Sequence, residues 1–179
     1  KASFHDVPQY PIEIIIDPKM SFGTGHHATT YLMIKQMLDM DFQERDVLDM
    51  GCGTSVLAIL ASKSGAKRVL AIDFDEWAYE NSLENVKNNG ISNIEVKRGS
   101  NELLENKQFN VILANINLNV LLEQLHSYIN TLSAGGEILF SGILFTDAAK
   151  MKQELLGKGM IIKEINQKDK WALIHCIKA

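Results

Sequence analysis

Apolar positions along this chain alternate between short continuous runs and longer stretches with helical spacing. The runs have the length and aliphatic content of buried strands, and they are residues 46–50, 68–73, 94–98, 109–115 and 137–143. The stretches between them are helical in composition, at residues 55–64, 75–89, 120–132 and 147–157. Strands that alternate with helices form βαβ units. The pattern therefore predicts an α/β domain with a mostly parallel sheet and helices on both faces.

The two ends of the chain depart from this alternation. Residues 160–166 and 171–177 are strand-like, and the linker of residues 167–170 is too short for a parallel crossover, so they predict an antiparallel hairpin. Near the start, residues 12–17 predict a short strand, and residues 29–39 have helical spacing. The expected division is an extended segment over residues 1–28 and a folded domain over residues 29–179.

Length, charge and cysteine content narrow the class. The 179 residues fit one domain. The formal net charge of −4 disfavours a broad basic face, so direct nucleic-acid binding is not expected. Cys52 and Cys176 show no disulfide spacing, which favours a reducing, cytoplasmic compartment. No apolar run is long enough to span a membrane, and no signal peptide is visible after Lys1.

A glycine-containing turn follows the first strand of the regular region. Gly51 and Gly53 lie between a predicted strand and a predicted helix, and Asp73 closes the next strand. In nucleotide-binding sheets such a turn lets a ligand approach the backbone, and such an acid binds ribose hydroxyls. Position 56 is Val56, so the third glycine of the dinucleotide fingerprint is missing, and a nucleoside ligand without pyrophosphate fits better than NAD. The alternative is a glycine turn that only makes a tight connection.

Asn115 follows the fourth strand, where the ligand edge of the sheet is expected. Its amide oxygen could accept a hydrogen bond from an amine and orient the nitrogen for attack on an electrophile. The alternative is that Asn115 or Asn117 caps the following helix, with Asn117 the better cap candidate.

Other reactive or aromatic side chains have simpler interpretations. His26 and His27 lack a cluster with ligand spacing, so no metal is expected and His27 is predicted to fix its loop through hydrogen bonds. No histidine or asparagine partner for nucleophilic catalysis is recognisable near Cys52 in the sequence. Trp77 and Tyr79 lie in a predicted helix and are expected to be packing residues.

Four stretches together resemble class I S-adenosylmethionine-dependent methyltransferases, and more narrowly the PrmA-type ribosomal protein methyltransferases. The longest is DPKMSFGTGHHATT at residues 17–30, which is similar to the family signature D-P-x-x-x-F-G-T-G-x-H-x-T-T. The others are VLDMGCGTSVLA at residues 47–58, LAIDFD at residues 70–75 and LANI at residues 113–116. The resemblance runs from about the third residue to the end.

The resemblance implies a Rossmann-like, seven-stranded sheet and S-adenosylmethionine as cofactor. It implies methyl transfer to amino groups, lysine side chains or an α-amine, of a large-subunit ribosomal protein. Asn115 is the expected catalytic residue, and the expected cofactor-binding residues are Phe22, Gly23, Thr24, Thr30, Asp49, Gly51, Gly53, Asp73, Phe74 and Asn115. Methyl transfer to another protein, a small molecule or a nucleic acid base stays open, as does a non-catalytic nucleotide-binding module.

The chain also departs from the family pattern. Ser55 stands where glycine is usual, Asn117 where leucine is usual, and Ala28 where proline is usual. The small domain that precedes the catalytic domain in this family, and is expected to recognise the protein substrate, has no counterpart in the sequence.

Overall fold

A seven-stranded sheet forms the centre of the molecule in a computed structural model that describes residues 12–17, 19 and 27–179. The strands are β1 (Asp46–Met50), β2 (Arg68–Asp73), β3 (Ile94–Arg98), β4 (Phe109–Asn115), β5 (Leu132–Leu144), β6 (Met160–Lys168) and β7 (Trp171–Lys178). Their order across the sheet is β3-β2-β1-β4-β5-β7-β6. Strands β1 to β5 pair in parallel, and β7 pairs antiparallel with both β5 and β6.

Helices cover both faces of the sheet. Neighbouring strand residues point to opposite sides, and because these residues are apolar, both faces must be buried. They are α1 (Ala28–Leu38), α2 (Val56–Lys63), α3 (Glu76–Asn88), α4 (Leu118–Thr131) and α5 (Ala148–Gly157). On β1, Leu48 belongs to the core under α4 and α5, whereas its neighbour Val47 belongs to the core under α1 and α2. Within the described part of the chain, no helix is long and apolar enough to cross a membrane.

The regular region matches the sequence prediction closely. The first four predicted strands, at residues 46–50, 68–73, 94–98 and 109–115, have the bounds of β1 to β4. The fifth begins earlier, at Leu132, because Leu132 already pairs with Phe109 of β4, and the pairing shifts register before Glu137 meets Val111. The predicted C-terminal hairpin is confirmed as β6 and β7.

The strand predicted at residues 12–17 is wrong. These residues form no ladder, because asparagine side chains of α3 and its C-terminus take their backbone hydrogen bonds. Asn89 accepts from the Ile15 amide at 3.0 Å and donates to the Ile15 carbonyl at 2.7 Å. Asn85 accepts from the Asp17 amide at 3.0 Å. The segment therefore packs against α3 instead of joining the sheet, and the alternation of apolar residues alone does not distinguish these two arrangements.

The strand order places a crevice at the carboxyl ends of β1 and β4. From β1 the chain winds outward through β2 and β3, then returns to add β4 on the other side of β1. Ligands of open α/β sheets bind outside the carboxyl ends of the strands at such a reversal of strand order. The loops after β1, β2 and β4 therefore surround one place.

Candidate active site

A cavity of about 810 Å³ opens at this carboxyl edge. That volume lies within the range of small-molecule and cofactor sites. Its lining includes the turn after β1, the end of β2, the end of β4, the start of α1 and one position of β5, represented by Gly51, Asp73, Asn115, Thr29 and Gly142. Gly51, Gly53, Asp73, Phe74 and Asn115 of the site predicted from sequence therefore line this cavity together.

The turn after β1 is held by hydrogen bonds to β2. The amides of Gly51 and Cys52 both donate to the Ile72 carbonyl, at 2.8 and 3.0 Å. Gly51 and Gly53 have φ values of +70° and +54°, which glycine adopts without a Cβ penalty. Both glycines line the cavity, and the space that the missing Cβ of Gly51 leaves is filled by the side chain of Ile116.

Ser55 occupies a left-handed conformation with φ of +62° at the position where the family pattern has glycine. A non-glycine residue there is strained. Its hydroxyl forms a short hydrogen bond with the buried Ser82 hydroxyl of α3. This departure is therefore compensated locally, by a side chain that the sequence motif did not include.

Asp73 organises the ligand edge of β2. One carboxylate oxygen accepts from the Gly53 amide at 2.9 Å, and the other accepts from the Asp75 amide at 3.1 Å. A carboxylate offers about four acceptor sites. Because Asp73 also lines the cavity, its remaining lone pairs are available to ligand hydroxyls. Two hydroxyls of a ribose have the chemistry that such an acceptor pair binds.

Asn117, and not Asn115, caps the helix that follows β4. Asn117 is the N-cap of α4, and its Oδ1 accepts from the Val120 amide at 3.1 Å. Asn115 is the last residue of β4 and lines the cavity, while its buried Oδ1 has no hydrogen-bond partner. An orphaned acceptor of this kind is costly to bury. A ligand N–H at the cavity would satisfy it.

Asp49 and Thr30 are buried but are not among the cavity-lining residues. Asp49 accepts from the Ala58 amide in α2 at 3.0 Å, and its other oxygen has no partner. Burial, with a smaller contribution from the charge of Asp73, raises the pKa of Asp49 to about 7. The Thr30 hydroxyl also lacks a partner. Their assignment as cofactor-binding residues stays a prediction.

The loop residues Phe22, Gly23 and Thr24 lie outside the described residues, and their cofactor role also stays a prediction. His27 is described, and it caps α1: its Nδ1 lies 2.8 Å from the Thr29 hydroxyl and 3.3 Å from the Thr29 amide. Within the described residues no group of three or more His, Cys, Asp or Glu side chains could hold a metal ion. Burial raises the pKa of Cys52 far above its usual range, so its sulfur is held as a thiol.

Several lining residues were missed from sequence. Trp77 was expected to pack, but it is 70% exposed and borders the cavity beside the 77% exposed Phe74. The sequence did carry a signal for Trp77, because the first turn of α3 follows Asp73 and therefore starts at the ligand edge of the sheet. Trp171 of β7 also lines the cavity, in edge-on contact with the His27 ring at 5.0 Å between centroids. Nothing local in the sequence connects these two residues.

The described residues fit S-adenosylmethionine. Asp73 suits its ribose, the glycine turn admits it against the backbone, and the unsatisfied Asn115 oxygen lies at the same cavity. Together, the fold and this site define a class I S-adenosylmethionine-dependent methyltransferase domain.

The family model described as ribosomal protein L11 methyltransferase (PrmA) matches residues 1–179, and the chain belongs to that family. It is 42% identical over 178 residues to the ribosomal protein L11 methyltransferase of Bacteroides fragilis, covering 98% of this chain and 64% of that protein. It is 44% identical over 177 residues to the enzyme of the same name from Porphyromonas gingivalis, covering 98% of this chain and 61% of that protein. The chain thus spans just under two thirds of these relatives.

A solved structure shows the same architecture. The crystal structure of ribosomal protein L11 methylase from Lactobacillus delbrueckii subsp. bulgaricus superposes with a TM-score of 0.90 and 29% sequence identity, over 99% of this chain and 92% of that chain. The resemblance drawn from four sequence stretches, and the fold it implied, are confirmed.

Proposed function

We propose that this chain is a methyltransferase domain that binds S-adenosylmethionine and transfers its methyl group to amino groups of a large-subunit ribosomal protein. The observation that carries the proposal is the buried, unpartnered Asn115 Oδ1 at the cavity of a chain of this family. The curated relatives are named for the L11 protein, which makes that protein the proposed substrate. Lysine side chains and the α-amine are the proposed acceptors.

Cofactor binding belongs to the β1 and β2 side of the cavity. Asp73 accepts hydrogen bonds from the ribose hydroxyls, and the cofactor lies against the turn after β1 at Gly53. Phe74 provides an apolar surface at the rim. When bound, S-adenosylmethionine supplies an electrophilic methyl group on a sulfonium.

The substrate amine is proposed to bind at Asn115. The orphaned Oδ1 accepts an amine N–H, which points the nitrogen lone pair along one direction and lowers the entropic cost of in-line attack. The attacking amine must be neutral, whereas a free lysine has a pKa of about 10.4. Desolvation in the cavity favours the neutral form. Asn115 therefore selects and orients the amine without itself exchanging a proton.

A cytoplasmic location is part of the proposal. Both cysteines are free and buried, in agreement with a reducing compartment. A basic ribosomal protein would also suit a chain with a net charge of −4.

Mass spectrometry of the ribosomal protein after incubation with this chain and methyl-labelled S-adenosylmethionine tests the proposed reaction. The expected result is label on amino groups of the L11 protein. Label that appears on a nucleic acid or small molecule in a ribosome-containing extract, and never on the L11 protein, would overturn the substrate assignment. Calorimetry on the same sample shows whether the cofactor is bound, so a failure of binding is distinguished from a failure of substrate choice.

A further inference from the structure

The residue that follows Asn115 at the end of β4 packs between two glycines, one in the turn after β1 and one on β5. Ile116 follows Asn115, and a Cβ built on Gly51 would overlap the Ile116 Cγ2 atom. A Cβ built on Gly142 would overlap the Ile116 carbonyl oxygen and lie 2.8 and 2.9 Å from its carbonyl carbon and amide nitrogen. Such distances are shorter than packed atoms tolerate. The side chain of Ile116 thus requires glycine in the turn after β1, and its backbone requires glycine on β5.

Gly142 lies in an irregularity of β5. The pairing of β5 with β7 shifts register between Phe140 and Ile143, while on its other side Ser141 keeps register with Asn115 of β4. The Ser141 hydroxyl donates to the Ala172 carbonyl of β7 at 2.8 Å and ties the irregular segment to that strand. Bulges of this kind bend a strand and redirect neighbouring side chains beside active sites.

We infer that the Ser141-Gly142 bulge is a positioning element for Asn115 that acts through Ile116. The inference rests on the proposed function, because it assigns a role toward the amine that Asn115 orients. The bulge brings Gly142, with φ of +79°, against the Ile116 backbone. Ile116 then fills the space over Gly51. Asn115 is fixed on one side by the β4 ladder to which it belongs and on the other by the packed Ile116. Gly142 is a positioning residue, since it acts on Asn115 through Ile116.

Two other glycines provide matched controls. Gly159 has φ of +78°, nearly the value of Gly142, and an added Cβ would meet nothing within 4 Å. Gly135 lies on β5 itself with φ of +70° and equally open surroundings. Alanine at either position introduces the same backbone strain without touching Ile116. The difference between Gly142→Ala and these controls therefore isolates the contact with Ile116.

The first readout does not need catalysis. In the full chain labelled with ¹⁵N, the Asn115 side-chain amide signal is assigned by its loss in Asn115→Ser. We expect Gly142→Ala to shift or broaden this signal, while Gly159→Ala and Gly135→Ala leave it in place. Ile116→Ala is a second variant that adds no volume, and it should also move the signal because Asn115 loses its support over Gly51.

The second readout is kinetic. Gly142→Ala should lower kcat for methyl transfer to the ribosomal protein by about tenfold to a hundredfold, since misplacement by about 1 Å has that effect on an oriented reaction. The Kd for S-adenosylmethionine from calorimetry should change by less than about threefold, because the Asp73 side of the cavity is untouched. An Asn115 signal and a kcat equal to those of Gly159→Ala would overturn the inference. Absence of transfer by the parent chain would count against the proposed function, while the amide signal would still decide the inference.

Discussion

The two ends of the parallel sheet treat buried polar groups in opposite ways. At the amino end, the Glu137 carboxylate accepts from Arg45 at 2.8 Å and contacts His175 Nε2 at 2.8 Å, with Lys163 at 3.5 Å. At the carboxyl end, Asp49 and Asn115 each bury an oxygen that has no hydrogen-bond partner. The carboxylate at the amino end thus has its hydrogen-bond partners within the chain, whereas two buried oxygens at the carboxyl end lack partners.

The difference separates stability from function. An unsatisfied buried polar group costs about 1–3 kcal/mol, so a fold retains one where a ligand supplies the partner. A charge cluster whose partners all belong to the chain stabilises the fold without any ligand. We therefore expect changes at the amino end to alter stability without altering cofactor binding, and changes at the cavity-lining residues of the carboxyl end to alter binding or methyl transfer more than stability.

Glu137→Ala should give the largest effect. It removes the shared acceptor of Arg45 and His175 in a partly buried cluster, where hydrogen bonds to a charged group contribute about 1.5–3 kcal/mol each. The free energy of unfolding in urea should fall by about 3 kcal/mol, while the Kd for S-adenosylmethionine stays within about twofold. Glu95→Ala is the control, because the Glu95 side chain is 63% exposed and its pair with Lys97 adds little. Equal losses in both variants would show that the cluster is not a stabilising element.

Asn115→Ala should reverse that profile. Loss of the oriented amide is expected to lower methyl transfer by about a hundredfold. Stability should be retained or slightly raised, because an orphaned acceptor is removed. Asn130→Ala is the matched control, since Asn130 is exposed on α4 and its side-chain amide lies in hydrogen-bond contact with His126. Full transfer by a folded Asn115→Ala protein would contradict the role given to Asn115.

Two aspartates of β1 should respond to pH with opposite sign. Burial raises the folded-state pKa of Asp49 to about 7, so its contribution to stability is complete below about pH 4 and is lost as the pH rises toward 7. The hydrogen bond from Arg68 lowers the pKa of Asp46, so its contribution is present above the unfolded-state pKa and is lost on acidification.

Urea unfolding at about pH 5 and about pH 8 measures this contrast. Between these pH values, the change in the free energy of unfolding should be smaller for Asp49→Asn than for the parent by about 2 kcal/mol. The corresponding change for Asp46→Asn should equal that of the parent. If the pH dependence of Asp49→Asn equals that of the parent, Asp49 does not titrate as its burial indicates.

Local patterns predicted most of the fold, because buried parallel strands are continuous apolar runs with loops between them. The bounds of β1 to β4 could be given from sequence for this reason. The placement of β7 between β5 and β6 could not, because it depends on contacts between distant segments. The apolar pattern of residues 12–17 predicts a strand, and the asparagines that bind this segment, on α3 and just after it, lie too far along the chain to be linked to it from sequence.

The site divides in the same way. Gly51, Asp73 and Asn115 were identified because each ends or follows a strand at the ligand edge. Trp171 and Gly142 were not identified, since their place at the cavity comes from the antiparallel β7 and from a bulge with no sequence signature. Motifs thus located the groups that are predicted to contact ligands, and only the structure located Trp171 and Gly142 beside them.

The most direct test of the account is calorimetry of this chain with S-adenosylmethionine, with NAD as the comparison ligand. The parent chain should bind S-adenosylmethionine and not NAD. Asp73→Asn should weaken binding at least about tenfold, which is about 1.4 kcal/mol, because it alters the acceptor for the ribose hydroxyls. Asp46→Asn, at the opposite end of the sheet, should bind like the parent. No binding by the parent, or equal binding by Asp73→Asn, would contradict the account.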